Sequence, residues 1–164
     1  HPLEDQNILS LAARIGADVP FFLKKEPCLA LGIGEKLLPM PSGVEGWHCV
    51  LICPHIHVDT SWAYAAWDAE GRAFSLTEWE KIAKDIPSRY LCLLGRNDFE
   101  HVVFAQWPKL SAWKGSLLEA GAEIAGMSGS GSAIYGMFRD ESSANAAAIA
   151  LSGKDADIFG PFRI

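Results

Sequence analysis

The chain has 164 residues, of which 49% are hydrophobic and 21% are charged, so it can bury a core and is not intrinsically disordered. Its formal net charge of −6 argues against nucleic-acid binding, which requires a basic patch on the surface. No uninterrupted apolar stretch has the length of a membrane span, and no secretory signal opens the chain, so we expect no membrane partner.

The predicted elements begin with a helix over 3–15, whose apolar residues recur at helical spacing and which ends at Gly16. The segment "ADVPFFL" follows, and Pro20 favours extended geometry in the residue before it, so we predict that the chain leaves the helical conformation there. Residues 28–40 are predicted to form a strand, a turn at Gly32-Ile33-Gly34 and a second strand.

From Trp47 onward the predicted order is strand, helices, strand, strand, helix, strand. This order predicts an α+β fold, with an antiparallel or mixed sheet and helices packed on one face. Asn97 and Glu100 have the spacing of a capping box, so we interpret them as residues that cap a helix. The predicted strands are at 47–53, 121–125 ("GAEIA"), 133–138 and 157–164. The predicted helices are at 60–67, 77–86, 97–107, from 108 to near Gly121, and at 142–153, the last capped by Ser142 or Ser143.

The four cysteines predict reduced, buried thiols in a cytoplasmic protein. Cys49 and Cys53 lie in an apolar run, and no two cysteines form a Cys-x-x-Cys pair. His55 and His57 lie close together, but no cysteine or carboxylate cluster joins them at metal-ligand spacing. We therefore expect no metal site in the chain, and a solvent-exposed turn at the two histidines.

The stretch "GMSGSGSAIYG", from Gly126 to Gly136, contains four glycines and three serines. We call its residues 129–132 the glycine loop. Glycines allow a backbone to turn its N–H groups toward one point, where they can bind an anion, and serine hydroxyls add donors. No lysine follows, so the stretch is not a P-loop. The residues alone leave a plain turn and a phosphate-binding loop both open.

Asp18 is the second candidate, because it is a carboxylate in the otherwise apolar stretch "IGADVPFFL". It follows a predicted helix end and precedes a proline. A cap or turn residue would have that position. The position would also suit a functional acid that accepts a proton from a substrate hydroxyl group or orients that group.

These motifs, taken together and in order, resemble the GHMP family of small-molecule kinases. The resemblance covers most of the chain and rests on an ordered set of segments rather than on any one of them. The matching segments are "GADVPFFL" (16–23), "GIGEKLLP" (32–39), "VLICPHIHVDTSWAY" (50–64), "NDFE" (97–100) and "MSGSGSAIYGMF" (127–138). Among GHMP kinases, "GADVPFF" together with "GxGE" favours the branch that acts on a cytidine-containing alcohol in isoprenoid biosynthesis over mevalonate or homoserine kinases.

The resemblance implies roles for particular residues. Asp18 would be the catalytic acid that acts on the attacking hydroxyl of the substrate. Ile33, Thr60 and Tyr64 would line the pocket for the cytidine end of the substrate, where an aromatic ring can stack on the base. Without the resemblance, Tyr64 in "WAYAAW" is equally a core aromatic. The phosphate loop would consist of Gly129, Ser130, Gly131 and Ser132.

The resemblance also implies ATP as cosubstrate, Mg²⁺ with it, and a small-molecule substrate that carries a cytidine diphosphate. Residues 1–40 would be the tail of the family's amino-terminal domain, and 41–164 its carboxy-terminal domain. The family's amino-terminal lysine and its "PxxxGLGGGSSD"-like loop do not occur in the sequence. We therefore expect the chain to be a piece of a kinase that is inactive alone. The alternatives are a non-catalytic ligand-binding domain of related fold, or another GHMP kinase of the homoserine or mevalonate type.

Overall fold

The structure is a computed structural model that describes residues 5–24, 27–32, 34, 36–39, 43–71, 95–153 and 155–164. The chain divides into two compact units, His1–Gly43 and Val44–Ile164. The predicted helix at 77–86 and Cys92 lie outside the described residues. In the described part of the chain, no helix combines the length and the apolar character needed to cross a bilayer.

The first unit contains two helices and a β-hairpin in its described residues. Its elements are α1 (Asp5–Ile15), α2 (Val19–Leu23), β1 (Cys28–Leu31) and β2 (Lys36–Pro39). The helix α1 ends just before Gly16, whose N–H still donates to the Ala12 carbonyl at 3.2 Å. The two strands pair antiparallel, with Leu31 opposite Lys36, so the predicted strand–turn–strand is confirmed.

The prediction that the chain is extended around Pro20 was wrong. This segment forms the short helix α2, and Pro20 lies in its first turn. A proline is tolerated there because the first N–H groups of a helix have no intrahelical acceptor and its φ already suits a helix. The N–H of Phe21 donates to the Asp18 carbonyl at 3.1 Å, which makes Asp18 the residue that begins the turn.

The described elements of the second unit follow the predicted order. These elements are β3 (His48–Pro54), α3 (Thr60–Ala69), α4 (Glu100–Gln106), α5 (Pro108–Glu119), β4 (Ile124–Met127), β5 (Ile134–Phe138), α6 (Glu141–Leu151) and β6 (Ala156–Arg163). Among the described residues, the strands form one sheet in the spatial order β4-β5-β3-β6, and every pairing is antiparallel. The position of β3 inside the sheet explains its continuous apolar sequence.

The main core lies between one face of this sheet and the helices. Val50 and Ile52 alternate on β3 and are fully buried there, together with Phe138 of β5. Gly136 allows α5 to approach the sheet, because a Cβ at this position would lie 2.9 Å from Leu117 Cδ2. A smaller cluster on the other face contains Val44, Trp47 and Met137. The predicted α+β fold with helices packed on one face is confirmed.

Some local predictions were wrong. Asp140, not Ser142 or Ser143, caps α6, because its carboxylate accepts the Ser143 N–H at 2.8 Å. This bond and two serine hydroxyls that donate to the carboxylate lower the pKa of Asp140 to about 2, the Ser142 hydroxyl having the largest effect. The cysteines in the described part of the chain are half-buried rather than buried.

Candidate functional site

The glycine loop connects β4 to β5 in the second unit. The Ser128 N–H donates to the Ala133 carbonyl at 2.8 Å, and the Gly131 N–H donates to the Ser128 carbonyl at 3.0 Å. Gly129 and Gly131 have φ angles of 56° and 94°, which non-glycine residues rarely adopt. The two glycines are therefore needed for the path of the backbone.

The loop presents N–H groups that could bind an anion. Within the described residues, the amides of Gly129 and Ser130 meet no backbone carbonyl. A Cβ built on Gly129 would have no neighbour within 4 Å, so there is open space beside this part of the loop. Successive amides beside open space in a glycine turn form the kind of nest in which phosphate groups bind.

Two serine hydroxyls tie the loop to the segment that follows β3. The Ser132 hydroxyl donates to the Ile56 carbonyl at 2.6 Å. The Ser130 hydroxyl lies 2.9 Å from the Thr60 hydroxyl at the start of α3. These contacts bring together Thr60 and the glycine loop, which the sequence had suggested separately.

Asn97 and Glu100 hold the other side of the loop. The Asn97 side-chain amide donates to the Met127 carbonyl at 2.8 Å and to the Gly129 carbonyl at 2.7 Å. Glu100 Oε1 accepts the Met127 N–H at 2.8 Å. Asn97 Oδ1 also accepts the Phe99 N–H at 2.9 Å, so it does contribute to the turn before α4. The predicted capping box was nevertheless wrong, because Glu100 is the first residue of α4 and its carboxylate points to β4.

Glu100 also forms an ion pair with Lys114 of α5. Their Oε2 and Nζ atoms are 2.6 Å apart, and the side chains are only 16% and 23% exposed. Tyr135 lies nearby in β5, and its pKa is raised to about 12, first by burial and then by the negative charge of Glu100. The carboxylate of Glu100 therefore lies in a largely desolvated position between the helices and the loop.

The first turns of α3 carry the two predicted substrate residues of this unit. Asp59 caps the helix by accepting the Trp62 N–H at 2.8 Å. Thr60 and Tyr64 are four residues apart and both exposed, so they lie on one side of the helix. Tyr64 is 56% exposed, which excludes the alternative that it is a core aromatic. Its ring meets the Phe99 ring edge-on at 4.8 Å between centroids.

Asp18 lies in the first unit, beside the turn of the hairpin. It has the N-cap position of α2, but its side chain makes no capping hydrogen bond and is exposed. Its Oδ1 atom would be 3.1 Å from a Cβ on Gly34, so Gly34 lies against this carboxylate. Ile33 of that turn lies outside the described residues.

Comparison with known proteins shows similarity to one family of kinases. The model of the family "GHMP kinases C terminal" matches residues 80–155. A 4-diphosphocytidyl-2-C-methyl-D-erythritol kinase of Solidesulfovibrio magneticus is 43% identical over 157 residues, which cover 92% of this chain and 53% of the relative. The enzyme of the same name from Nitratidesulfovibrio vulgaris is 42% identical over 164 residues, which cover 97% of this chain and 57% of the relative. The chain is thus similar to GHMP kinases over most of its length. It spans about half the length of the curated relatives that it matches.

Solved structures of GHMP kinases have the same fold. A crystal structure of 4-(cytidine 5'-diphospho)-2C-methyl-D-erythritol kinase superposes with a TM-score of 0.72 at 28% identity, covering 96% of this chain and 56% of that one. A homoserine kinase from Cytophaga hutchinsonii superposes with a TM-score of 0.71 at 18% identity, covering 99% of this chain and 59% of that one. At this low identity the superposition supports the fold alone.

The structure brings two residues to the site that the residue pattern alone did not suggest. The "NDFE" segment was interpreted as a helix start, although Asn97 and Glu100 both contact β4 or the glycine loop. Only the family resemblance of "NDFE" pointed to them. His55 and His57 are exposed as predicted, and His55 Nε2 lies 3.2 Å from Asp157 Oδ2. No group of three or more histidine, cysteine or acidic side chains that could hold a metal occurs among the described residues.

Proposed function

We propose that the protein to which this chain belongs transfers the γ-phosphoryl group of ATP to a hydroxyl group of cytidine diphosphate methylerythritol, a step of non-mevalonate isoprenoid biosynthesis. The observation that carries the proposal is the glycine loop, a nest of amides beside open space that adjoins Thr60. The names of the relatives at about 40% identity support this substrate over homoserine or mevalonate. A cytoplasmic location is part of the same proposal.

In this proposal the glycine loop binds phosphate oxygens. The proposed donors are the amides of Gly129 and Ser130, which meet no backbone carbonyl among the described residues, and the Ser130 hydroxyl beside Thr60. Donors fixed in advance stabilise the charge on the transferred phosphoryl group without reorganising during the reaction. Mg²⁺ would enter with ATP and neutralise phosphate charge.

Asp18 is proposed as the acid–base residue. Its carboxylate makes no capping bond and is exposed, so it is available to accept a proton. The substrate oxygen forms a bond with the γ-phosphorus, and the bond from that phosphorus to the bridging oxygen of ADP breaks. The proton of the hydroxyl passes to Asp18, and ADP leaves. Because such transition states are loose, positioning the hydroxyl contributes more than its full deprotonation.

Thr60, Tyr64 and Ile33 are proposed to line the site for the cytidine end of the substrate. The exposed ring of Tyr64 is suited to stack on a pyrimidine, and its edge-on contact with Phe99 restricts its orientation. Thr60 would donate or accept a hydrogen bond one helical turn away. Because its hydroxyl also contacts Ser130, the substrate and phosphate sites would adjoin.

We further propose that residues 1–40 end the family's amino-terminal domain and that 41–164 form its carboxy-terminal domain. The division of the chain at Gly43 is compatible with this assignment. On this proposal the 164-residue chain is inactive by itself, because the sequence contains no "GLGGGSS"-like ATP loop.

The test is a kinase assay of the full-length protein with ATP and Mg²⁺. Cytidine diphosphate methylerythritol, homoserine and mevalonate are offered separately, and ADP release is measured. Turnover with the cytidine substrate alone supports the proposal, whereas turnover with either other alcohol assigns a different GHMP kinase. If no substrate is phosphorylated but one binds, the non-catalytic reading replaces the kinase. Turnover by the 164-residue chain would contradict the proposal that it is inactive alone.

A further inference from the structure

The two amide hydrogens of Asn97 bond to two carbonyls on one strand of the hairpin, where β4 becomes the glycine loop. The acceptors are the carbonyls of Met127 and Gly129, at 2.8 and 2.7 Å. One side chain therefore fixes the orientation of two peptide groups that are two residues apart. The same side chain is itself fixed, because Asn97 Oδ1 accepts the Phe99 N–H at 2.9 Å.

Fixing a carbonyl also fixes the N–H of the same peptide group, which points the opposite way in a trans peptide. Since the Gly129 carbonyl points to Asn97, the Ser130 N–H must point away from Asn97. The flanking glycines have no Cβ and would otherwise allow this peptide to rotate. A defined orientation of the Ser130 amide thus depends on a contact from outside the loop, and Asn97 supplies it.

Glu100 fixes the strand that leads into the loop. Its Oε1 accepts the Met127 N–H at 2.8 Å, while its Oε2 pairs with Lys114 Nζ at 2.6 Å. Both side chains of the ion pair are mostly buried, so their geometry is restricted. The Lys114 ammonium also neutralises a carboxylate that would otherwise repel an anion at the neighbouring loop.

We propose that Asn97 and Glu100 are positioning residues that orient the amides of the glycine loop for phosphate binding. The inference rests on the proposed function for the identity of the anion, an ATP phosphate. The orientation of the loop can be measured without it. Neither residue contacts a reacting atom in this proposal, since they act through the backbone of residues 127–130.

The decisive variant is Asn97→Asp in the full-length protein. It retains the oxygen that accepts the Phe99 N–H but loses both N–H donors and places a carboxylate against two carbonyl oxygens. If Asn97 only begins a helix, this variant behaves like the wild type, because aspartate is as good a cap as asparagine. If Asn97 orients the loop, kcat/KM for ATP falls by about 10- to 100-fold. The KM for the alcohol substrate should change little.

A second measurement reads the loop directly. With serine labelled by ¹⁵N, the heteronuclear NOE of the Ser130 amide should fall in Asn97→Asp, which indicates a loss of order. Lys109→Ala is the matched control. It removes the exposed ion pair between Lys109 of α5 and Asp155, and it should leave both readouts unchanged. If Asn97→Asp does not fold, Asn97→Ser replaces it in both measurements. Asn97→Ser keeps one donor, so its kcat/KM and its Ser130 NOE should fall less.

The outcomes separate this inference from the proposed function. If wild-type protein shows no turnover, the proposed function fails, and the Ser130 NOE still decides whether Asn97 orients the loop. If the folded variant keeps the wild-type NOE and the wild-type kcat/KM for ATP, the positioning role is refuted. A fall in both supports it.

Discussion

The Thr60 and Ser130 hydroxyls are 2.9 Å apart, so the first residue of α3 contacts the glycine loop directly. Ser132, two positions after Ser130, reinforces this junction by donating to the carbonyl of Ile56, four residues before Thr60. A helix proposed to hold the substrate and a loop proposed to hold phosphate thus share a hydrogen-bonded contact. Changes on one side should therefore be detectable on the other.

A double-mutant cycle with Thr60→Val and Ser130→Ala tests this coupling. Each single variant should lower kcat/KM by about two- to fivefold, and the double variant should cost little more than either one. The expected coupling energy is about 0.5–1 kcal/mol, the usual range for one exposed hydrogen bond. Steady-state kinetics of the four proteins measures it. Strict additivity of the two effects would show that the contact does not link the sites.

Asp18 and Asp140 allow a matched comparison, because both begin helices but only Asp140 uses its carboxylate as a cap. Asp18→Asn should lower kcat by about 10²- to 10⁴-fold while the melting temperature stays unchanged. Asp140→Ala should do the reverse, lowering the melting temperature at constant kcat. Kinetics and thermal denaturation of the full-length variants measure both. A normal kcat in Asp18→Asn would leave Asp18 as a turn residue only.

Much of the second unit could be predicted from sequence, because its signals are local. The apolar run that ends at Pro54 predicted an inner strand, and Pro108 separated two helices correctly. The prediction at Pro20 failed because proline has two opposite effects. It disfavours helical geometry in the residue before it, but it is also well tolerated in the first turn of a helix. The roles of Asn97 and Glu100 could not be predicted, since their partners at 127–129 are about 30 positions away and come close only in the folded chain.

The two glycines of the loop should differ in their tolerance of a side chain. Gly129→Ala introduces strain from a φ of 56° but meets no neighbour within 4 Å. Gly131→Ala has a φ of 94° and would also place its Cβ 2.9 Å from the sulfur of Met127, which is buried. We expect Gly129→Ala to lower the free energy of unfolding by about 1 kcal/mol and Gly131→Ala by about 2 kcal/mol or more. Urea denaturation of both variants checks the order, and equal losses would contradict the packing at Gly131.

The cap of α6 should give a pH-dependent contribution to stability. The hydroxyl of Ser142, then the amide and hydroxyl of Ser143, lower the pKa of Asp140 from 3.8 to about 2. A carboxylate with a depressed pKa stabilises the folded state above its unfolded pKa, and this contribution is lost as the pH falls toward 2. The difference in melting temperature between wild type and Asp140→Asn should therefore shrink between pH 4 and pH 2. A difference that stays constant over this range would mean that the charge of Asp140 is not stabilising.

Tyr135 provides a spectroscopic probe of the carboxylate behind the glycine loop. Burial and, after it, the charges of Glu100 and Cys49 raise the pKa of Tyr135 to about 12. Glu100→Gln removes one of these charges and keeps the side-chain shape, so the pKa of Tyr135 should fall while remaining above 10, because burial persists. The absorbance of tyrosinate near 295 nm, with Tyr135→Phe as the reference that identifies its share, measures the change. Because the unfolded chain loses this proton near pH 10 and the folded chain only near 12, the raised pKa of Tyr135 costs stability as the pH rises through this interval. Glu100→Gln narrows the interval, so its effect through Tyr135 should move the alkaline unfolding transition to higher pH. An unchanged titration would mean that Lys114 already cancels the charge of Glu100 at Tyr135, and the carboxylate would then act on the loop through its bond to Met127 alone.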